Sequence, residues 1–452
     1  MKIIIVGCGK VGTTVISSLV REGHDIVAVD RDSEVITDVT NVYDVMGVCG
    51  NGADSDVLSE AGATDAEMFI AATGSDELNM LACFIAGRMG AKHTIARIRN
   101  PEYNDDSLDF IKSQLEISMA INPELLAAHE LFNILRFPTA VKVESFSRRN
   151  LEMIEIRLSQ ESVLDGVKLL ELREKYKAKV LVCCVQRGDE VFIPDGFFAL
   201  RSGDRIGITG SPSEMQKFLR ALNLLKKQAR SVFILGGSRT AYYLSGMLIQ
   251  NGVQVKIVEQ DKKTAEQLCD ALPDAVIING DGAKQELLLE EGLPNVDAFV
   301  SLTGMDEENI LVSVFAGSTG VPKVITKINR DELIPMAEKL GLDSIVSPKQ
   351  TVADVILRYA RALSNSFGSN IETLYRFMDN KAEALEFNVS AESELANIPL
   401  RELRFKPNTL IGGIIRGKKT VIPGGDDCLL PGDRVVVITA NENYADLSDI
   451  LR

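Results

Sequence analysis

The chain has 452 residues, 45% hydrophobic and 25% charged, a composition that predicts a soluble protein of several domains. Its formal net charge of −15 disfavours binding to nucleic acid and direct adsorption to anionic membranes. No stretch reaches the ~18 apolar residues of a membrane-spanning helix. The first apolar run, Ile3–Val6, is too short for a signal peptide, so we expect a buried strand and a cytoplasmic location.

The first part of the chain alternates between short β-branched runs and helical stretches. The predicted strands read IIIV, DIVAV, MFIAA and HTIARI, and two intervening helices are predicted over Thr13–Glu22 and Asp76–Arg88. Strands that alternate with helices in this way form βαβ units with parallel strands. The pattern therefore predicts an α/β domain built on a doubly wound, Rossmann-like parallel sheet.

A glycine-rich turn, GCGKVG, directly follows the first predicted strand and opens a predicted helix. In such a turn Gly7 permits the tight bend, Gly9 lets a phosphate approach the backbone, and Gly12 lets the helix lie close to the strand. The helix N-terminus presents free N–H groups to a pyrophosphate. Asp30, at the end of the next strand, is placed to bind ribose hydroxyls and to repel a 2′-phosphate. The sequence therefore favours NAD or an adenine nucleotide over NADP.

Further polar residues stand at the ends of later strands. Thr73 and Gly74 follow MFIAA, and Arg97 lies at the end of the next strand. A ligand at the switch point of a doubly wound sheet contacts such strand ends, where Arg97 can bind a phosphate or carboxylate. The alternatives are helix capping by Thr73-Gly74 and a surface salt bridge made by Arg97. These residues extend the predicted nucleotide site along one sheet edge.

A helix and a small α+β domain are predicted next. The helix covers Asn122–Pro138, whose Asn-Pro start is favourable for capping. It packs either in the core of its own domain or on a neighbouring copy, where it would tie large domains together. The strand MIEIRL, a helical stretch over Gly166–Lys177, and the strands KVLVCCV, EVFIP and RIGIT follow. They predict a mostly antiparallel sheet.

The same arrangement then occurs a second time. Gly236 in GGSRTA lies 229 positions after Gly7, and Glu259 lies 229 positions after Asp30. The motifs TGSDELN and TGMDEEN, like GNGA and GDGA, are 230 positions apart. The predicted segments are two large domains (1–120 and 230–346), two crossover helices (121–138 and 347–364) and two small domains (140–224 and 368–452), with the halves joined near Leu225–Ser231.

No residues placed for catalysis are identified. A dehydrogenase needs an acid or base beside the nicotinamide, but His24 and His93 precede strands and His129 lies on the crossover helix. Seven cysteines without a CxxC pair predict reduced thiols rather than a metal or redox site. We therefore expect no enzyme activity and no bound metal, with an NAD-dependent oxidoreductase as the alternative.

The ordered set of motifs resembles the RCK (KTN) domains, which regulate potassium channels and transporters. GCGKVG with Asp30, GNGA, TGSDELNM and IARIRNPEY resemble the N-terminal domain of this family. IPDGFFALRSGDRI and IPGGDDCLLPGDRV resemble its C-terminal ligand domain. Two complete copies in one chain are similar to the regulatory subunits of Trk-type potassium uptake systems, and the resemblance covers nearly the whole chain.

The resemblance implies a homo-oligomeric ring, expected to be a tetramer. Such a ring lies on the cytoplasmic face of a membrane potassium-conducting partner, TrkH or a relative, without inserting into the membrane itself. NAD, NADH, ATP or ADP would bind the large domains and shift the ring between conformations, and the crossover helices would join neighbours. A regulatory ring for another cation transporter is the alternative.

The resemblance also implies which residues bind the nucleotide. It places the first site on Gly7, Cys8, Gly9, Lys10, Val11, Asp30, Thr73, Gly74 and Arg97. It places the second site on Gly236, Gly237, Ser238, Arg239 and Glu259. The chain departs from the family pattern at Asn51, where Asp is usual, and at Ser238 and Ala241, where Gly is frequent. The departures at Ser238 and Ala241 lower the expected occupancy of the second site.

Overall fold

The computed structural model describes residues 1–103, 105–136, 140–146, 150–160, 162–222, 224, 229–365, 371–378, 381–417, 419–440, 444 and 446–452. These residues form two compact units. One comprises residues 1–129 and 347–360, and the other comprises residues 130–346 and 361–452. The predicted junction at Leu225–Ser231 lies partly outside the described residues.

The first large domain consists of short strands joined by helices. Its strands are β1 (Lys2–Val6), β2 (Asp25–Asp30), β3 (Met46–Cys49), β4 (Met68–Ala71), β5 (His93–Arg97) and β6 (Met119–Ile121). Its helices are α1 (Lys10–Arg21), α2 (Ser33–Tyr43), α3 (Ser55–Glu60), α4 (Asp76–Met89) and α5 (Asp105–Gln114). All these strands pair in parallel in the order β3-β2-β1-β4-β5-β6, so the predicted doubly wound sheet is confirmed.

The central strand β1 is apolar throughout its buried length. Ile3, Ile4 and Ile5 are 0% exposed, although successive side chains of a strand point to opposite faces of the sheet. Helices therefore cover both faces, as expected for a parallel sheet. Because the strands are parallel, the polar residues that follow each strand lie at the same edge of the sheet, where the strands end.

A helix and a small antiparallel domain follow. Their elements are α6 (Pro123–Arg136), β7 (Ala140–Phe146), β8 (Leu151–Arg157), α7 (Leu169–Tyr176), β9 (Val180–Arg187), β10 (Glu190–Phe192), β11 (Arg205–Gly210) and α8 (Pro212–Ala221). The strand order is β10-β9-β11-β8-β7. The sequence interpretation missed β7, which pairs with β8 at the edge of the sheet. The last residues of the predicted helix Asn122–Pro138 lie outside the described residues.

The second large domain repeats the first. Its strands are β12 (Ser231–Leu235), β13 (Gln254–Glu259), β14 (Val276–Asn279), β15 (Ala298–Ser301), β16 (Val324–Lys327) and β17 (Ile345–Val346). Its helices are α9 (Arg239–Gln250), α10 (Lys262–Ala271), α11 (Gln285–Glu290), α12 (Asp306–Ser318) and α13 (Ile334–Lys339). The strand order β14-β13-β12-β15-β16-β17 is that of the first sheet.

The chain ends in a second crossover helix and a second small domain. These elements are α14 (Pro348–Asn365), β18 (Ile371–Phe377), β19 (Ala382–Asn388), β20 (Thr409–Arg416), β21 (Lys419–Val421) and β22 (Arg434–Ala440). The sheet order is β18-β19-β22-β20-β21, and all these pairings are antiparallel. The two small domains share one apolar cluster, in which Leu151 and Cys184 lie with Phe377 and Ile438.

Most of α14 belongs to the same compact unit as the first large domain, although the second large domain precedes it in sequence. Residues 347–360 belong to the same compact unit as residues 1–129. The Tyr359 hydroxyl lies 3.3 Å from Nδ1 of His93, the first residue of β5.

Candidate functional site

The first glycine turn spans Gly7–Gly9 between β1 and α1. Gly7 has a φ of +90°, and a Cβ on it would lie 2.8 Å from the backbone nitrogen of Thr73. A Cβ on Gly12 would lie 1.9 Å from the carbonyl oxygen of Gly7. At Gly9, in contrast, no described atom lies within 4 Å of a Cβ position. The close packing of the turn therefore leaves no room for a side chain at Gly7 or Gly12. At Gly9 the space is open, so a phosphate could approach the backbone there.

Asp30 joins the end of β2 to this turn. Its Oδ2 accepts a hydrogen bond from the backbone N–H of Cys8 at 2.7 Å, and its Oδ1 accepts one from Asp32 N–H at 3.1 Å. Each carboxylate oxygen can accept further hydrogen bonds. Burial and the charge of Asp30 raise the pKa of the Cys8 thiol to about 12, so this thiol stays protonated at neutral pH. Cys8 therefore contributes its backbone to the turn.

The first residues of α1 face the same opening. Gly9 is the N-cap residue of α1, and no side chain caps the helix there. Lys10 is exposed and Val11 is half-buried. The helix therefore presents an uncapped N-terminus with a cationic side chain beside it, an arrangement that suits an anion.

Thr73 and Gly74 form the turn after β4, and a buried asparagine holds this turn in place. The Asn79 side chain is 0% exposed, and its Oδ1 accepts hydrogen bonds from the Thr73 N–H at 2.8 Å and hydroxyl at 2.7 Å. Its Nδ2 donates to the carbonyl oxygens of Thr73 at 3.3 Å and Arg97 at 2.8 Å. Asn79 thus fixes the end of β4 relative to the end of β5, where half-buried Arg97 stands.

Asp76 and Arg99 complete this edge of the first sheet. Asp76 accepts hydrogen bonds from the backbone N–H groups of Arg99 and Asn100, both at 2.8 Å. The Arg99 guanidinium donates to the Gly74 carbonyl oxygen at 2.6 Å. The sequence interpretation missed Asn79, Asp76 and Arg99. The recurrence of the aligned Asp and Asn in both TG motifs was the signal that could have identified Asn79 and Asp76.

The second turn keeps the backbone geometry of the first. Gly236 has a φ of +93°, and a Cβ there would lie 3.0 Å from the Thr303 nitrogen. Glu259 takes the place of Asp30 and accepts hydrogen bonds from Gly237 N–H at 2.5 Å and Asp261 N–H at 2.7 Å. Ser238 differs from Gly9, because its hydroxyl accepts a hydrogen bond from Ala241 N–H at 3.4 Å and caps α9. Arg239 is the exposed first residue of this helix.

The second TG turn is also held by an asparagine. Asn309 Oδ1 accepts hydrogen bonds from the Thr303 N–H at 2.9 Å and hydroxyl at 2.8 Å. Asn309 Nδ2 donates to the carbonyl oxygens of Thr303 at 3.2 Å and Lys327 at 3.0 Å. The two sites thus share the same supporting contacts, although their exposed residues differ.

Asp306, the counterpart of Asp76, is an ionisable residue among these supporting contacts, so their contribution to stability can be tested by changing the pH. It is 4% exposed, and burial alone would raise its pKa. Hydrogen bonds from the Asn329 and Arg330 backbone N–H groups outweigh burial and lower the pKa. A carboxyl group with a lowered folded-state pKa stabilises the fold above its unfolded-state pKa. That stability is lost as pH falls through the folded-state pKa.

We expect Asp306→Asn to lower the free energy of unfolding by about 2 kcal/mol at neutral pH, because a charged acceptor is lost. The difference from the unsubstituted protein should shrink as the pH falls below the ordinary pKa of an aspartate and through the lowered pKa of Asp306, where its carboxylate becomes protonated. Urea unfolding followed across pH measures both effects. Asp274→Asn, at an exposed site, is the control; a difference that persists unchanged in acid would contradict the role assigned to the charge.

In the described part of the chain, no group of three or more His, Cys, Asp or Glu side chains is arranged to hold a metal ion. Among the described helices, none has the length and apolar character needed to cross a membrane.

The strand order and the glycine turns define a protein with two Rossmann-like domains of the dinucleotide-binding type. Residues 3–123 and 232–348 match the TrkA-N domain, and residues 153–223 and 384–452 match the TrkA-C domain. The chain therefore belongs to the TrkA family, which confirms the resemblance seen in the sequence.

Full-length relatives support this assignment. Trk system potassium uptake protein TrkA homolog 1 from Methanosarcina mazei is 31% identical over 447 residues, which cover 97% of each chain. Trk system potassium uptake protein TrkA from Vibrio alginolyticus is 30% identical over 453 residues, which cover 100% of this chain and 98% of the relative. A solved structure, the GsuK channel bound to NAD, shares the fold with a TM-score of 0.62 and 17% identity. The alignment covers 97% of this chain and 77% of that one.

Proposed function

We propose that the chain is a nucleotide-binding regulatory subunit of a Trk-type potassium uptake system and gates potassium transport through nucleotide-dependent conformational change. A role in regulating potassium transport accompanies membership of the TrkA family. The observation that carries the nucleotide part is the uncapped N-terminus of α1, which opens beside Asp30 at the carboxyl edge of the sheet. This is where doubly wound sheets bind their ligands.

The proposed ligand is NAD or NADH, with ATP and ADP as further candidates. The pyrophosphate would lie at Gly9 and the start of α1, where backbone N–H groups and Lys10 favour an anion. Asp30 would bind the ribose hydroxyls, and Thr73, Gly74 and Arg97 would line the far side of the switch point. The distantly related GsuK channel was solved with NAD, which is consistent with this choice.

We further propose that the site performs no reaction on its ligand. The buried Cys8 thiol is a poor nucleophile, because its pKa of about 12 keeps it protonated at neutral pH. The Thr73 hydroxyl already donates a hydrogen bond to Asn79. Neither group is poised to transfer a proton to or from a bound nicotinamide.

Gating then follows from a difference in affinity. A ligand shifts a conformational equilibrium only by the difference between its affinities for the two states. The proposed assembly is a homo-oligomeric ring, expected to be a tetramer, on the cytoplasmic face of a TrkH-like membrane subunit. Small differences in affinity between the two ring conformations add over all the sites of a ring. A total difference of about 1.4 kcal/mol changes the equilibrium constant between the conformations tenfold.

The test is calorimetric titration of the purified chain with NAD, NADH, ADP and ATP, repeated on Asp30→Ala. We expect Asp30→Ala to weaken first-site binding about tenfold or more, because a charged acceptor of ligand hydrogen bonds is lost. Asp25→Ala is the matched control, since Asp25 is an exposed residue at the opposite end of the same strand. Equal binding by Asp30→Ala and the unsubstituted protein would overturn the assignment of the first site.

A separate measurement addresses the absence of catalysis. Reduction of NAD or oxidation of NADH would be followed by absorbance in the presence of candidate substrates. Tight binding without turnover is expected for a sensor. Sustained turnover that is lost in Asp30→Ala would instead favour the oxidoreductase alternative.

A further inference from the structure

Two arginines lie side by side in the sheet of the first small domain. Arg157 at the end of β8 pairs in register with Arg205 at the start of β11, so both side chains lie on the same face of the sheet. Like charges directly opposite each other in an antiparallel pair are destabilising. At the equivalent place in the second small domain, Arg434 pairs with Asn388, which is neutral. The arginine pair of the first small domain therefore requires compensation by negative charge.

Carboxylates of the second large domain supply this negative charge. Nη1 of Arg157 lies 3.1 Å from Oδ1 of Asp343, and Nη1 of Arg205 lies 3.9 Å from Oε1 of Glu338. Glu338 lies on α13, and Asp343 lies between α13 and β17. Two ion pairs thus connect neighbouring strands of the first small domain to one segment of the second large domain.

Arg205 also connects this contact to the second small domain. Its Nε lies 2.7 Å from Oε2 of Glu155, a residue that is 1% exposed. Oε1 of Glu155 accepts a hydrogen bond at 3.2 Å from the backbone N–H of Met378, which directly follows β18. Met378 has a φ of +51°, a conformation that a residue with a side chain adopts only when its surroundings hold it there. A change at Arg205 would therefore reach the backbone of Met378 through Glu155.

The segment that carries the two carboxylates is tied to the second TG turn. Asp306, the first residue of α12 after that turn, accepts hydrogen bonds from the backbone N–H groups of Asn329 at 3.0 Å and Arg330 at 2.9 Å. Only a short 3-10 turn, Asp331–Leu333, separates Arg330 from α13, the helix of Glu338. A shift of the TG turn would therefore be transmitted to α13 over a few residues.

The alternative role for these ion pairs is simple attachment of one domain to the other. The side chains of Arg157 and Asp343 are each 41% exposed, and exposed ion pairs add little to stability because solvent screens them. Glu338 is 31% exposed, and its 3.9 Å separation from Arg205 is long for an ion pair. Contacts of this kind form and break at small cost, which suits an interface that changes with a bound ligand.

We propose that the ion pairs Arg157–Asp343 and Arg205–Glu338 couple the second nucleotide site to both small domains. A ligand that moves the second TG turn would change both ion pairs, and Glu155 would pass the change to Met378. The inference rests on the proposed function, because it requires a nucleotide at the second turn. Since coupling between two sites is reciprocal, breaking the ion pairs should also change nucleotide affinity at that turn.

The test reverses the charges of the exposed ion pair. Arg157→Asp and Asp343→Arg each place like charges together, whereas the double variant restores an ion pair of opposite polarity. Glu338→Gln removes the other interdomain pair and leaves the buried pair of Arg205 intact. All variants also carry Asp30→Ala, which weakens first-site binding, and ADP is the probe. Glu332→Gln, at an exposed position of the same segment, is the control.

Calorimetry measures ADP affinity, and amide hydrogen exchange with mass spectrometry follows the segment that contains Met378 with and without ADP. In the Asp30→Ala background, we expect ADP to change exchange in this segment about fivefold or more. The effect of ADP should be lost in Arg157→Asp, Asp343→Arg and Glu338→Gln, with a change of similar size in ADP affinity. It should return in the double variant and be unaffected by Glu332→Gln. Thermal unfolding verifies that each variant is folded.

Two results would overturn the inference. One is an effect of ADP at Met378 that persists in Arg157→Asp and Glu338→Gln, or that does not return in the double charge-reversed variant. The other is an absence of ADP binding in Asp30→Ala, although nucleotide binding by the unsubstituted chain would then still support the proposed function. If the unsubstituted chain binds no nucleotide, the proposed function itself fails, and the inference fails with it.

Discussion

Gly7→Ala is expected to destabilise the first large domain and abolish nucleotide binding at its turn. Gly7 has a φ of +90°, a conformation that alanine adopts only with strain, and its Cβ would lie 2.8 Å from the Thr73 nitrogen and 2.9 Å from the Ala72 carbonyl carbon. Both atoms belong to the backbone and cannot rotate away. The combined strain and overpacking should lower the free energy of unfolding by about 3 kcal/mol.

Thermal unfolding and NAD titration measure the two effects. Gly9→Ala is the informative comparison, because no described atom lies within 4 Å of the Cβ position at Gly9. We expect Gly9→Ala to keep the unfolding temperature and still lose affinity for NAD, since the new methyl group occupies the phosphate approach. If Gly9→Ala also kept full affinity, the placement of the phosphate at this turn would be wrong.

The large domains were largely predictable from the sequence because their signals are local and repeated. The apolar run Ile3–Val6 indicates a buried strand, and the glycine turn that begins at Gly7 follows it directly. The same succession of strand and glycine turn returns at Gly236. Short edge elements were harder. The strand β6 (Met119–Ile121) has three residues, too few for any periodicity to appear.

Long-range packing and buried polar networks were not predictable. The sequence identified α14 as an amphipathic helix, but the large domain on which residues 347–360 pack depends on contacts between distant parts of the chain. Asn79 reads as an ordinary polar residue of a helix, and only its burial shows that it bridges two strand ends.

Asn79→Leu should be the most destabilising substitution at the edge of the first sheet. The amide makes four hydrogen bonds, to the Thr73 N–H, hydroxyl and carbonyl groups and to the Arg97 carbonyl, with distances from 2.7 to 3.3 Å. Leucine has a similar size, but it leaves these groups without their partner in a site that is 0% exposed. Unsatisfied buried polar groups are costly, so we expect a loss of about 4 kcal/mol in the free energy of unfolding.

Asn79→Asp separates the accepting from the donating half of this network. A carboxylate can still accept from the Thr73 N–H and hydroxyl, but it cannot donate to the Thr73 and Arg97 carbonyl oxygens, which would instead repel it. Amide hydrogen exchange at Thr73 should therefore accelerate strongly in Asn79→Leu and less in Asn79→Asp. NAD affinity should fall in both, because the ends of β4 and β5 lose their connection.

Two comparison variants show whether the effect of losing Asn79 is confined to the first site or is a general effect on the chain. Asn41→Leu, at an exposed position of α2, should change neither exchange at Thr73 nor NAD affinity. Asn309→Leu removes the equivalent bonds in the second half and should accelerate exchange at Thr303 while first-site NAD binding persists. Loss of first-site binding in Asn309→Leu would show that the two halves depend on each other, and the assignment of Asn79 as a local positioning residue would then be wrong.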